Sequence, residues 1–212
     1  MIDNDTYIKI KKRYGRFASW AVWSDGDKNE GIDDLSIFKS SNILNMLNPN
    51  IVFCALNPGG NREVDGDHVP NTGTDRIDNW RMFHVKGCCD YKIRYILKDT
   101  MFTGAYMTDI IKGVVDSDST NVKKIVNSDI CVVSKNVNKF CDELILLNSK
   151  PIVIAFGADS YNLLLKYESK INDRIGYKLR CYKLTHYAHH IRLADYRDEV
   201  MQLALTISQN ED

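Results

Sequence analysis

Residues 51–60 read Ile51-Val52-Phe53-Cys54-Ala55-Leu56-Asn57-Pro58-Gly59-Gly60. Six consecutive apolar residues, several of them β-branched or aromatic, predict a strand buried on both faces, as in a parallel sheet. The run stops at Asn57-Pro58-Gly59-Gly60. Pro58 fixes one φ, and the two glycines let the backbone turn tightly or approach a ligand. Open α/β sheets place their ligand sites at such turns, beyond the carboxyl ends of the strands. A plain strand-ending turn, with Asn57 bonding its own backbone, remains the simpler alternative.

Further strands are expected on both sides of this one. Thr103–Ile111 predicts a second, ending near Thr108-Asp109. Pro151–Gly157 predicts a third, apolar throughout and closed by glycine. Leu179–Leu184 predicts a fourth, stopping at Thr185-His186. Helical spacing separates them. Cys89, Ile93, Ile96 and Leu97 define one helix; Val133, Val137, Phe140, Cys141, Leu144 and Leu147 define the clearest. Another follows Gly157, capped by Asp159 or Ser160, and Leu193, Tyr196, Val200, Leu203 and Ile207 define the last. Alternation of this kind predicts a three-layer α/β/α sandwich around a mainly parallel four-stranded sheet. One domain accounts for the 212 residues. Residues 1–48 are expected as a helical extension packed on it, with Trp20 and Trp23 as packing anchors. Residues 61–79 form a long polar stretch, expected to wall a pocket beside Asn57.

Composition narrows the function. Net charge is zero, against a strongly basic, non-specific nucleic-acid binder. No apolar run reaches membrane-spanning length, and no basic-then-apolar segment opens the chain, so a cytoplasmic protein without a membrane partner is expected. The six cysteines contain no C-x-x-C pair and are expected to be reduced. Neither Cys88-Cys89 nor His186, His189 and His190 has the spacing of a zinc site, so no metal or cofactor is expected.

Four strand ends along one sheet edge bring Asn57, Asp109, Gly157 and His186 together. Here a resemblance enters. Ala55-Leu56-Asn57-Pro58-Gly59 resembles the G-[IM]-N-P-G motif of the uracil-DNA glycosylase superfamily, in its mismatch-specific and single-strand-selective branches. His186-Tyr187-Ala188 stands where that superfamily has a late His-Pro-Ser. Tyr106–Lys112 resembles a strand ending Thr-Asn-x-x-Lys, and Pro151–Gly157 the apolar strand that precedes a helix. The ordered match spans about residues 50–192. Three departures stand out: Ala55 replaces Gly, Tyr187-Ala188 replaces Pro-Ser, and Asp109 replaces a base-reading Asn. The stacking Phe that follows the first motif is also missing at Val69-Pro70-Asn71.

The resemblance implies excision of a modified or mismatched base from DNA, single- or double-stranded. It implies Asn57, His186 and Asp109 as catalytic residues. Asn57 would position a water, His186 would donate to the departing base, and Asp109 would read the base or activate the water. Leu56, Pro58, Gly59, Gly60, Trp80, Phe83 and Tyr106 would contact the base, with Trp80 or Phe83 replacing the stacking Phe. His189, His190, Arg192 and Lys112 would contact DNA. An ionised Asp109 accepts hydrogen bonds and repels a carbonyl oxygen, so uracil is expected to be a weak substrate and an amino-bearing base a better one. Two alternatives stay open: a catalytically inactive nucleic-acid or nucleotide-binding protein of the same fold, and an enzyme acting on free nucleosides.

Overall fold

The computed structural model describes residues 1–60, 62–64, 67–69 and 78–210. The elements run α1 (Asn4–Tyr14), β1 (Ala18–Trp20), a 3₁₀ turn (Ser36–Lys39), α2 (Ile43–Met46), β2 (Asn48–Ala55), β3 (Arg62–Val64) and β4 (Asp67–Val69). Then come α3 (Asp90–Leu97), β5 (Ala105–Asp109), α4 (Ser119–Ser128), α5 (Ile130–Leu147), β6 (Ile152–Phe156), α6 (Ala158–Lys166), α7 (Glu168–Ile175), β7 (Cys181–Leu184) and α8 (Leu193–Gln209).

The main sheet is mixed and has five strands in the order β1-β5-β2-β6-β7. β5, β2, β6 and β7 are parallel, with Phe53 opposite both Met107 and Ile154. The four expected strands are therefore present. The fifth corrects the expectation of residues 1–48 as a purely helical extension: the helix α1 is present, but Ala18–Trp20 pairs antiparallel with Thr108–Tyr106. All three of its residues are buried, and Ala21 N–H donating to Ala105 O, with Gly104 N–H donating to Ala21 O, extends the pairing beyond Trp20. The amino-terminal region thus completes the sheet as well as packing on it. In the polar stretch after Gly60, β3 and β4 pair as a short antiparallel hairpin. Asn61, Asp65, Gly66 and residues 70–77 lie outside the described residues, as does most of the expected pocket wall.

Strand alternation splits the core in two. Val52, Cys54, Tyr106, Val153 and Ala155 face one side, against Tyr7 and Ile10 of α1, Val137 and Phe140 of α5, and Leu164 and Ile171 of α6 and α7. Phe53, Ala55, Met107, Ile154 and Phe156 face the other, against Ile93 and Ile96 of α3 and Tyr196 and Val200 of α8. Helices therefore cover both faces. α7 occupies the polar stretch between α6 and β7. It buries Ile171 alone, too sparse a pattern to read as an amphipathic face.

Two anchors matter for the site. The buried Arg94 of α3 donates to the carbonyls of Ser24, Gly26, Lys28 and Glu30 at 2.7–3.1 Å, tying α3 to the loop that follows β1. At the start of α5, Asp129 accepts from the N–H groups of Cys131 and Val132, both at 2.9 Å. Asp129→Ala should lower stability by about 1 kcal/mol in urea denaturation. No measurable loss would mean that this cap contributes nothing.

Candidate functional site

In the parallel part of the sheet, the chain leaves β2 towards β5 and leaves β6 towards β7. The strand order therefore reverses between β2 and β6, the place where open α/β sheets form a crevice. The residues after β2 are held rigidly there. Asn57 donates through its amide nitrogen to the carbonyls of Pro58 (2.9 Å), Asp116 (2.8 Å) and Val114 (3.3 Å). Asp116 N–H returns a bond to Pro58 O at 3.1 Å. The amide nitrogen is thus engaged with the backbone, and the group Asn57 can offer a ligand is its oxygen, an acceptor.

After β6, Gly157 has φ 87°. A side chain there would be strained, and its Cβ would come within 3.1 Å of His186 Cβ. The close approach of the two strand ends requires glycine. From the other layer, Tyr196 of α8 donates to Thr185 O (2.5 Å) and Glu199 accepts from Thr185 N–H (2.7 Å), fixing the end of β7.

A cavity of about 290 Å³ lies at this edge. Asn57, Pro58 and Gly59 contribute from the turn after β2, and Asp109 from the end of β5. Met82, Phe83 and Val85 form one wall, Cys88, Cys89 and Asp90 another; Ser117, Tyr187 and Ala188 complete it. Phe83 sits at φ 62°, a left-handed conformation that costs a bulky residue about 1–3 kcal/mol. Its segment is clamped by the amino-terminal region. Trp80 N–H donates to Gly15 O (2.6 Å), Ser19 Oγ to Trp80 O (3.0 Å), and Trp23 Nε1 to Phe83 O (3.4 Å). Residues 1–24 thereby set the cavity wall, a role that their own sequence does not show.

The cavity holds two buried carboxyl groups. Asp109 is 1% exposed, and no described residue bonds its Oδ2. Burial, aided by the charges of Glu143 and Asp90 and opposed by Lys112, raises its pKa to about 7. Asp90 opens α3, and its Oδ2 accepts from Val85 N–H at 2.9 Å. Burial raises its pKa to about 6, against the lowering effect of that bond. Both therefore exchange protons near neutrality, which general acid–base groups require.

Of the three expected catalytic residues, the cavity brings together Asn57 and Asp109. His186 does not line it. Its Nδ1 accepts from Ala188 N–H at 3.2 Å, which leaves the ring proton on Nε2. The imidazole stacks on Tyr187, with centroids 4.5 Å apart and planes at 21°. Burial lowers its pKa, keeping it neutral. Tyr187 takes the lining position instead, edge-on to Phe156 (5.2 Å) and Phe83 (6.3 Å).

Among the residues expected to contact a base, Pro58, Gly59 and Phe83 line the cavity. Leu56 turns into the α-helical layer and lines a separate depression with Lys123 and Asp159. Gly60 is buried outside the cavity lining. Trp80 and Tyr106 are corrected. Trp80 is buried against Tyr7, Trp20 and Phe38, and Tyr106 packs edge-on to Trp20 on the α1/α5 side of the sheet. Tyr106 donates there to Glu143 Oε1 at 2.8 Å.

Lys112 is also corrected as a DNA contact. Its side chain is 3% exposed, with the ammonium paired with Glu143 Oε2 at 2.5 Å and bonded to the Asp109 carbonyl. His189, His190 and Arg192 are exposed on the loop beyond Ala188. Arg192 holds Asp195 through two bonds of 2.7 Å, and Lys92 donates to His189 O at 2.8 Å.

Asp90 and Tyr187 are among the lining residues that the sequence did not point to. Asp90 reads as an ordinary first-turn acid. Tyr187, an aromatic three residues beyond the end of β7, carried a weak signal. Among the described residues, no group of three or more His, Cys, Asp or Glu is placed to hold a metal, and no helix is long and apolar enough to cross a membrane. Comparison with protein-family models, curated proteins and solved structures finds no match to this chain.

Proposed function

We propose that the cavity hydrolyses the N-glycosidic bond of a modified or mismatched base in DNA, in a divergent relative of the uracil-DNA glycosylases. One observation carries the reading: Asn57, with its amide nitrogen bound to the backbone, shares a cavity with the buried Asp109 Oδ2, which has no partner among the described residues. A base reaches such a cavity only after leaving the stack. Phe83 and Tyr187 offer it aromatic surface. The Asn57 oxygen orients a water towards the anomeric carbon. Ionised Asp109 takes the proton of that water as its oxygen bonds to the sugar. The glycosidic electron pair leaves with the base. An amide supplies orientation and a carboxylate supplies basicity, which divides the work between two residues.

A second reading, hydrolysis of free nucleosides, is favoured by one feature. The described cavity lining contains two aspartates and neither Lys nor Arg, so it offers no cation to a phosphate.

The test is base release from single- and double-stranded oligonucleotides carrying modified bases, with alkaline scission of abasic sites, beside release from the matching nucleosides. Asn57→Ala should reduce release on the order of a hundredfold through lost orientation of the water. Release from nucleosides alone would select the second reading. No release from either would remove the hydrolase and leave a binding protein.

A further inference from the structure

Resting on the hydrolase reading, we propose that the base this cavity takes is cationic, a ring-alkylated or ring-protonated base that departs as a neutral molecule. A neutral pyrimidine, by contrast, must depart as an anion.

Asp90 and Asp109 are both buried in the cavity walls. Asp109 Oδ2 has no partner among the described residues, so its acceptor capacity is unused. Asp90 bonds the Val85 amide through one oxygen. The cation that acts on Asp109 from behind is Lys112, and its ammonium is committed to Glu143 and the Asp109 carbonyl. The other titratable groups of the lining are the Tyr187 phenol and the Cys88 and Cys89 thiols, all neutral or negative. The resulting field is negative inside an apolar wall of Met82, Phe83 and Tyr187.

That field opposes an anionic leaving group. It favours a cationic base in the ground state, through the carboxylates and through the faces of Phe83 and Tyr187. It also favours the oxocarbenium-like sugar that forms as the bond breaks. With a ring-alkylated base, the C–N electron pair returns to the ring nitrogen and cancels its positive charge. Water adds to the anomeric carbon and gives its proton to Asp109, which passes it to solvent. Atoms and charge balance without a donor to the departing base, the function the resemblance implied for His186.

The experiment compares oligonucleotides carrying one 7-methylguanine or one uracil in the same context, each corrected for release without protein. We expect 7-methylguanine to be released faster by on the order of tenfold or more. Asp109→Asn and Asp90→Asn, near-isosteric changes, should each erode that preference, whereas Asn57→Ala should slow both substrates together. A second readout is calorimetric titration with 7-methylguanosine at mildly acid pH in two buffers of different ionisation enthalpy. Binding should release a proton from wild type and measurably less from Asp109→Asn, in which Asp90 is the remaining carboxyl group, and uridine should release none.

Uracil released as fast as 7-methylguanine would overturn the cationic class and leave the hydrolase standing. Release of neither base, with 7-methylguanosine bound and a proton released, would remove the hydrolase and keep the ligand class. Neither release nor binding would overturn both.

Discussion

Lys112→Met is expected to destabilise the protein by about 3–5 kcal/mol. Lys112 and Glu143 are both buried, at 3% and 1% side-chain exposure. Glu143 also accepts from Tyr106 Oη (2.8 Å) and Thr108 Oγ1 (3.0 Å). Removing the ammonium leaves a buried carboxylate with two neutral donors and no counter-charge, and strips the Asp109 carbonyl of its side-chain partner. Burial already raises the Glu143 pKa, with Lys112 as the principal opposing effect. Losing Lys112 raises it further, so Glu143 becomes easier to protonate. The deficit should therefore shrink as the pH falls, and Lys112→Met with Glu143→Leu should recover only part of it, since Tyr106 Oη and Thr108 Oγ1 lose their acceptor. Urea denaturation across pH checks both points. A loss under about 1 kcal/mol, typical of exposed pairs, would mean that the pair is hydrated.

Asp109→Asn should stabilise the protein, and only above acid pH. The folded pKa of Asp109 is raised from 3.8 to about 7. Below pH 3.8 both folded and unfolded chains hold the proton, and the group contributes nothing to stability. Between 3.8 and 7 the unfolded chain loses its proton while the folded chain keeps it, so stability declines as pH rises. Above 7 the full penalty is present. Asparagine never ionises and escapes it. The stability difference between variant and wild type should grow on the order of 2–4 kcal/mol from pH 4 to pH 8. A difference that is flat with pH would show that Asp109 is hydrated and ordinary. Stability given up at a residue lining a cavity is the pattern of a functional group rather than a packing one.

The parallel strands were legible because Ile51–Leu56 and Pro151–Phe156 are continuous apolar runs, a signal that needs no knowledge of partners. β1 was not. Phe17, Ala18, Ala21 and Val22 also fit helical spacing, and Ala18–Trp20 is a strand only because the edge of β5 is there to pair with it. Strand alternation would have corrected Tyr106. Met107 and Asp109 share one face of β5, so Tyr106 must point into the opposite layer, where it meets Trp20 and Glu143. Pro58, Gly59 and Phe83 line the cavity, whereas Trp80 packs against Tyr7, Trp20 and Phe38, a difference that depends on the amino-terminal region folding over this segment. Asp109 was visible as a departure from an expected Asn. Its titration near neutrality was not, since that depends on burial and on Glu143, 34 residues further on in the chain, arriving beneath it. Asp90 was invisible for the same reason: a first-turn aspartate gains unusual chemistry only when the chain closes over it.

The central claim is that Asn57 and Asp109 act on an N-glycosidic bond. The most direct test is the pH profile of base release under single-turnover conditions, for wild type, Asn57→Ala and Asp109→Asn. Wild-type release should rise with pH through about 7 as Asp109 ionises. Asn57→Ala should lower release at every pH while keeping that inflection, and Asp109→Asn should be slower and lack it. Wild-type release with an inflection that survives in Asp109→Asn would contradict the assignment of Asp109, and a panel of bases from which wild type releases none would contradict the claim itself.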